Sequence, residues 1–133
     1  MAAISKALAA SLDQLASCIS KAEEFIASSL PTATNVAVKV DRDGDEFSPC
    51  VSYWLEYRDG RFVKVDQDEE TGDEVIRPLM EISIPDRQKY SQFIPQFIQE
   101  ATAAMEKLPT ELATNSSEIL DSIKIAKIAL NMK

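Results

Sequence analysis

The sequence predicts an α+β domain: a long N-terminal helix, a four-stranded antiparallel β-meander, then two C-terminal helices. Three observations carry this reading. Apolar residues recur every three or four positions over residues 4–30 and again after Pro85. Between those stretches the apolar period falls to two. An Asp59-Gly60 pair also separates two runs rich in aromatic and β-branched residues, the signature of a type I′ hairpin.

The first helix is expected from about Ile4 to Leu30, with Ile4, Leu8, Leu12, Leu15, Ile19, Ala22 and Ile26 on one stripe and Pro31 as its stop. The near-heptad spacing suits packing on the domain's own sheet or against a second copy. Val36, Val38 and Val40 alternate with Ala37, Lys39 and Asp41, a half-buried strand that ends in a turn at Arg42-Asp43-Gly44-Asp45. The second strand is read over Cys50–Arg58 and the third over Arg61–Asp66. A polar turn from Gln67 to Asp73 leads to a fourth strand over about Glu74–Ile84. Tyr90, Phe93, Ile94, Phe97, Ile98, Ala101, Ala104, Met105 and Leu108 then form one helical stripe. Asp86 is placed to cap its start, Pro95 to kink it and Pro109 to end it. A last helix is expected from the capping residues Asn115-Ser116-Ser117-Glu118 through Leu130.

A chain of 133 residues fits one domain, here 1–133, able to bury about two thirds of its unfolded surface. No apolar run approaches the roughly 20 residues of a membrane span, and Lys6 and Asp13 break the only stretch resembling a signal peptide. Cys18 and Cys50 form no CxxC motif and read as buried thiols of a cytoplasmic protein, although spacing alone does not exclude a disulfide.

Net charge is −8, and the middle of the chain holds most of it: residues 36–77 carry twelve acidic against six basic side chains. Alternate turns of a meander lie at the same end of the sheet. The turns at 42–48 and 67–73 therefore gather Asp41, Asp43, Asp45, Glu46, Asp66, Asp68, Glu69, Glu70, Asp73 and Glu74 on one rim, with Arg42 as the cation nearby. Such a rim disfavours nucleic acid and favours a protein partner with a basic surface. Counting back from Asp59-Gly60 pairs Tyr57 with Phe62 and Trp54 with Val65. One sheet face then carries Val51, Tyr53, Leu55, Tyr57 and Phe62. Left uncovered, Tyr53, Tyr57 and Phe62 would make an aromatic interface; helices on both faces would bury them.

The chain contains no histidine, no GxGxxG and no phosphate loop. That removes the common nucleophilic triads and histidine metal sites. The Asp41–Glu46 run alternates oxygen ligands but lacks the spacing of an EF-hand, so no metal ligands and no cofactor are assigned; weak divalent-cation binding across the turns is a minor alternative. The expectation is a non-enzymatic protein-binding module, an acidic inhibitor or adaptor using its rim. The rival is a chaperone-like or structural subunit, a homodimer formed through the N-terminal helix or the aromatic face. Size and acidity are similar to those of nucleic-acid-mimicking inhibitors and immunity proteins, a likeness of composition that rests on no particular residue.

Overall fold

The computed structural model describes residues 2–44 and 50–132, with side chains from Lys6 onward. Helix α1 spans Ala2–Ser29, and Pro31 opens a short 3₁₀ turn over Pro31–Asn35 that the sequence reading did not foresee. Strands β1 (Ala37–Asp43), β2 (Val51–Arg58), β3 (Arg61–Asp68) and β4 (Glu74–Pro78) form an antiparallel sheet in the order β1-β2-β3-β4. A 3₁₀ turn at Leu79–Glu81 leads to α2 (Ile84–Ser91) and α3 (Ile94–Ala129).

The hairpin register is the expected one, with Tyr57 opposite Phe62, Glu56 opposite Val63 and Trp54 opposite Val65. Asp59 and Gly60 both take positive φ, 54° and 81°, as a type I′ turn requires. β3 runs two residues past Asp66, to Asp68, and four further features differ from the sequence reading. β1 runs two residues past Asp41, so Arg42 and Asp43 lie on the strand rather than in a turn. β4 stops at Pro78, which has no N–H to continue the ladder. Ser83, not Asp86, caps α2, its hydroxyl accepting from the Asp86 N–H at 3.4 Å.

The fourth difference concerns the C-terminal prolines. Pro95 sits in the first turn of α3, where its missing N–H costs nothing, so it divides two helices rather than kinking one. Pro109 does not end α3; the helix bends and continues through it. Nor does a helix start at Asn115. The hydroxyls of Thr114 and Ser116 instead donate to the carbonyls of Thr110 and Leu112, at 3.0 and 2.9 Å, which accommodates turn-forming residues inside a helix.

The core lies between one sheet face and the helices. It joins Ile19 and Ile26 of α1, Val38, Leu55, Tyr57 and Phe62 of the sheet, Tyr90 of α2, and Ile94, Phe97 and Ala101 of α3. Glu23 of α1 closes it over the hairpin, accepting from the Phe62 N–H at 2.7 Å. Burial pushes the Glu23 carboxyl up, against that hydrogen bond. Val63 and Val65 face the other way, outside this cluster, yet are also buried. On their side Arg58 reaches Glu56 at 2.7 Å and Glu74 at 3.0 Å. The register sets Arg58 level with Arg61 and Glu74 level with Gln67, about 20 Å apart along a flat sheet. The two side chains can meet only if the sheet coils strongly, making that face concave around the two valines.

Candidate functional site

The site is made by a β-bulge. Val38 and Lys39 pair with Leu55 and Trp54, but the register slips at Val40, so Asp41 pairs with Tyr53 and Asp43 with Val51. An unbroken strand would turn Asp41 and Asp43 to the face opposite Tyr53. The extra residue re-aims both carboxylates toward the helix-covered side. Helix α2 supplies the opposing wall, since Asp86, Lys89 and Tyr90 lie three and four positions apart and share one helix face.

Asp41, Asp43, Tyr53, Lys64, Asp86, Lys89 and Tyr90 line a cleft of about 200 Å³. The Tyr53 hydroxyl donates to Asp43 Oδ2 at 2.7 Å, and Lys89 Nζ meets Asp41 Oδ2 at 2.7 Å. Lys64, with only 15% of its side chain exposed, lies 3.6 Å from Asp86 and 3.8 Å from Asp66. Its ammonium also sits 5.6 Å from the ring centroids of Tyr53 and Tyr90, within cation–π range. Asp66 Oδ1 is buried and has no hydrogen-bond partner among the described residues.

Hydrogen bonds and burial shift three groups of the site. The Lys89 hydrogen bond, helped by the Arg42 N–H, keeps the Asp41 carboxyl below the usual carboxylate range. The Asp43 hydrogen bond and burial push the Tyr53 phenol up to about 12, and burial pushes Tyr90 up as well. Both phenols therefore stay neutral, and Tyr53 stays a donor, across the physiological range.

Beside the cleft the end of β1 is tied to the turn that follows β3. Arg42 grips Glu69 with both arms, at 2.9 and 3.0 Å, which lowers the Glu69 carboxyl. Arg42 also reaches Cys50 Sγ at 3.2 Å, and the Glu69 N–H donates to the Cys50 carbonyl at 2.9 Å. Asp68 organises the second turn, accepting from the N–H groups of Glu70 and Thr71.

The structure places Asp41, Asp43, Asp66, Asp68, Glu69, Glu70 and Asp73 at one end of the sheet. Asp45 and Glu46 lie outside the described residues. Glu74 is drawn to the concave face by Arg58 and does not join the cleft. Arg42 is not the only cation nearby, because Lys64 and Lys89 stand within the rim itself. The uncovered aromatic face is corrected outright. Phe62 is fully buried and Tyr57 is 7% exposed, both covered by the helices, and only Tyr53 reaches the cleft. Sequence reasoning missed Lys64, Asp86, Lys89 and Tyr90 as site residues. The 86/89/90 spacing was visible, but nothing in it showed which strand end α2 would cover. Among the described residues no three acidic or cysteine side chains converge as metal ligands, and no helix is long and apolar enough to cross a membrane.

No family model, curated protein or solved structure matches the chain.

Proposed function

We propose that the protein is a non-enzymatic binding module, an inhibitor or adaptor that docks the acidic end of its sheet on a basic protein surface. The observation that carries this reading is the bulge at Val40. It adds two strand carboxylates to a cleft at the same end of the sheet as the acidic Asp68–Asp73 turn, so among the described residues carboxylates outnumber ammonium groups on a surface braced by hydrogen bonds. A braced surface loses less freedom on binding than mobile side chains would. Phosphate groups would be repelled, which favours protein over nucleic acid as the partner. The setting proposed is the cytoplasm, where cysteines stay reduced.

Electrostatic docking shows first in the association rate. Glu70 and Asp73 suit the test because neither makes an ion pair among the described residues, whereas Asp68 and Glu69 hold the turns together. With an arginine-rich peptide as probe, the double variant Glu70→Lys/Asp73→Lys is expected to associate about tenfold more slowly at low salt. The gap should close as salt shortens the screening length. Equal rates at low salt would remove the proposal.

A further inference from the structure

Past Pro109, α3 leaves the domain. Every residue from Pro109 to Met132 is exposed, although the apolar stripe that packs on the core does not stop. Ile94, Ala101, Met105 and Leu108 are followed on the same face by Leu112, Ile119, Ile123, Ala126 and Leu130, broken only by Ser116. Leu112, Ile119, Ile123 and Leu130 stand 47 to 69% exposed. The helix ends in its own local stop. Asn131 takes φ 56°, its N–H donates to the Ile128 carbonyl at 3.1 Å, and the Met132 N–H donates to the Lys127 carbonyl at 2.8 Å. This is a Schellman cap, so the projecting arm is terminated as a helix in its own right.

We infer that this arm pairs with the same arm of a second copy, antiparallel, about a two-fold axis level with Asp121. The spacing of the stripe points to it. From Leu112 through Ser116, Ile119, Ile123 and Ala126 to Leu130 the steps are 4-3-4-3-4, which read the same in both directions. A two-fold pairing needs such a self-complementary pattern. It sets Leu112 of one copy level with Leu130 of the other, Ile119 level with Ile123, and the small Ser116 level with the small Ala126.

Charge selects the direction. Glu111 and Glu118 occupy the first half of the arm and Lys124 and Lys127 the second, with Asp121 at the midpoint; the pairing sets Glu118 of one copy level with Lys124 of the other. Antiparallel pairing lays each acidic half along the other's basic half and opposes the helix dipoles, whereas parallel pairing stacks like on like. It also carries the two globular parts to opposite ends. The area suffices: four large aliphatic side chains and their flanks from each copy, at about 100 Å² apiece, bury roughly 1,000 Å², near the lower bound for a specific interface. This surface is neither the N-terminal helix nor the aromatic face, and its use leaves the acidic cleft free.

Sedimentation velocity of the full chain over a hundredfold concentration range tests the pairing. The expected result is a monomer–dimer equilibrium that Ile119→Asp/Ile123→Asp abolishes while the circular dichroism spectrum and melting temperature of the domain hold. Ser116→Leu, which adds apolar bulk along the seam, is expected to strengthen the dimer. Spin labels at Glu111→Cys, with Cys18 and Cys50 replaced by serine, should lie about 30 Å apart in an antiparallel dimer and nearer 10 Å in a parallel one. A monomer at all concentrations, a dimer indifferent to the aspartates, or the short label distance would overturn the inference.

Discussion

Replacing Phe62 with alanine is expected to destabilise the fold by about 3–5 kcal/mol, more than any other single truncation in the sheet. The ring has no exposed surface and stands edge-on to two others, Tyr57 at 5.9 Å and Phe97 at 5.3 Å. It is therefore the piece that fixes β2 and β3 against α3, while its own N–H is held by Glu23 of α1. Removing it leaves a cavity between rigid neighbours, and edge-to-face pairs add about 0.5–1.5 kcal/mol each beyond the area lost. Chemical denaturation should show the loss as a lower midpoint, and thermal melting as a fall of order 10–20 °C. Val75→Ala, at a half-exposed position of β4, should change stability by less than about 0.5 kcal/mol. A Phe62→Ala cost as small as the Val75 cost would mean that α3 does not seat on this ring.

Lys64→Met is the second large effect, and it bears on the site. Lys64 is the largely buried counter-charge, 15% exposed, between Asp66 and Asp86, and the variant keeps its aliphatic length while removing the ammonium. Asp66, whose Oδ1 has no hydrogen-bond partner among the described residues, would then keep a partly buried charge without the Lys64 counter-charge. Breaking a fully buried pair costs about 3–5 kcal/mol; Asp66 retains 26% side-chain exposure and water will screen it, so about 2 kcal/mol is expected. The cause separates from simple packing through a double variant. Lys64→Met/Asp66→Asn removes both charges and should recover at least half of the loss, giving a coupling energy of about 1 kcal/mol or more. Additive effects would show that the lysine contributes only through its methylene chain.

The sheet was the most readable part of the sequence because its information is local. Asp59-Gly60 can hardly adopt anything but the left-handed pair of a type I′ turn, and once that turn is set the period of two fixes every cross-strand partner from Arg58–Arg61 outward. The shared end of the two acidic turns followed from topology alone. The cleft did not follow, for two physical reasons. A bulge is one uncounted residue: Val40 continues the alternation of Val36 and Val38 in the sequence, and nothing in its type announces that it goes unpaired. The second reason is tertiary. Which face the helices cover depends on the summed apolar area of α1 and α3 meeting Leu55, Tyr57 and Phe62, while the coil of the sheet shelters Val63 and Val65 on the other side. The two proline errors run in opposite directions. The unbroken apolar stripe hides where the backbone breaks: Pro95, read as a kink within one helix, falls in the first turn of a new one, and Pro109, read as a stop, lies within a helix that bends and continues.

The most direct test of the acidic-end account is to follow backbone amide resonances of the ¹⁵N-labelled protein while an arginine-rich peptide is titrated in at low salt. The account predicts shifts concentrated at Asp41, Asp43, Tyr53, Asp66 and Glu69–Asp73, reversed by added salt, with the Asp59-Gly60 end of the sheet unmoved. Shifts centred on that opposite end, or none at all, would contradict it.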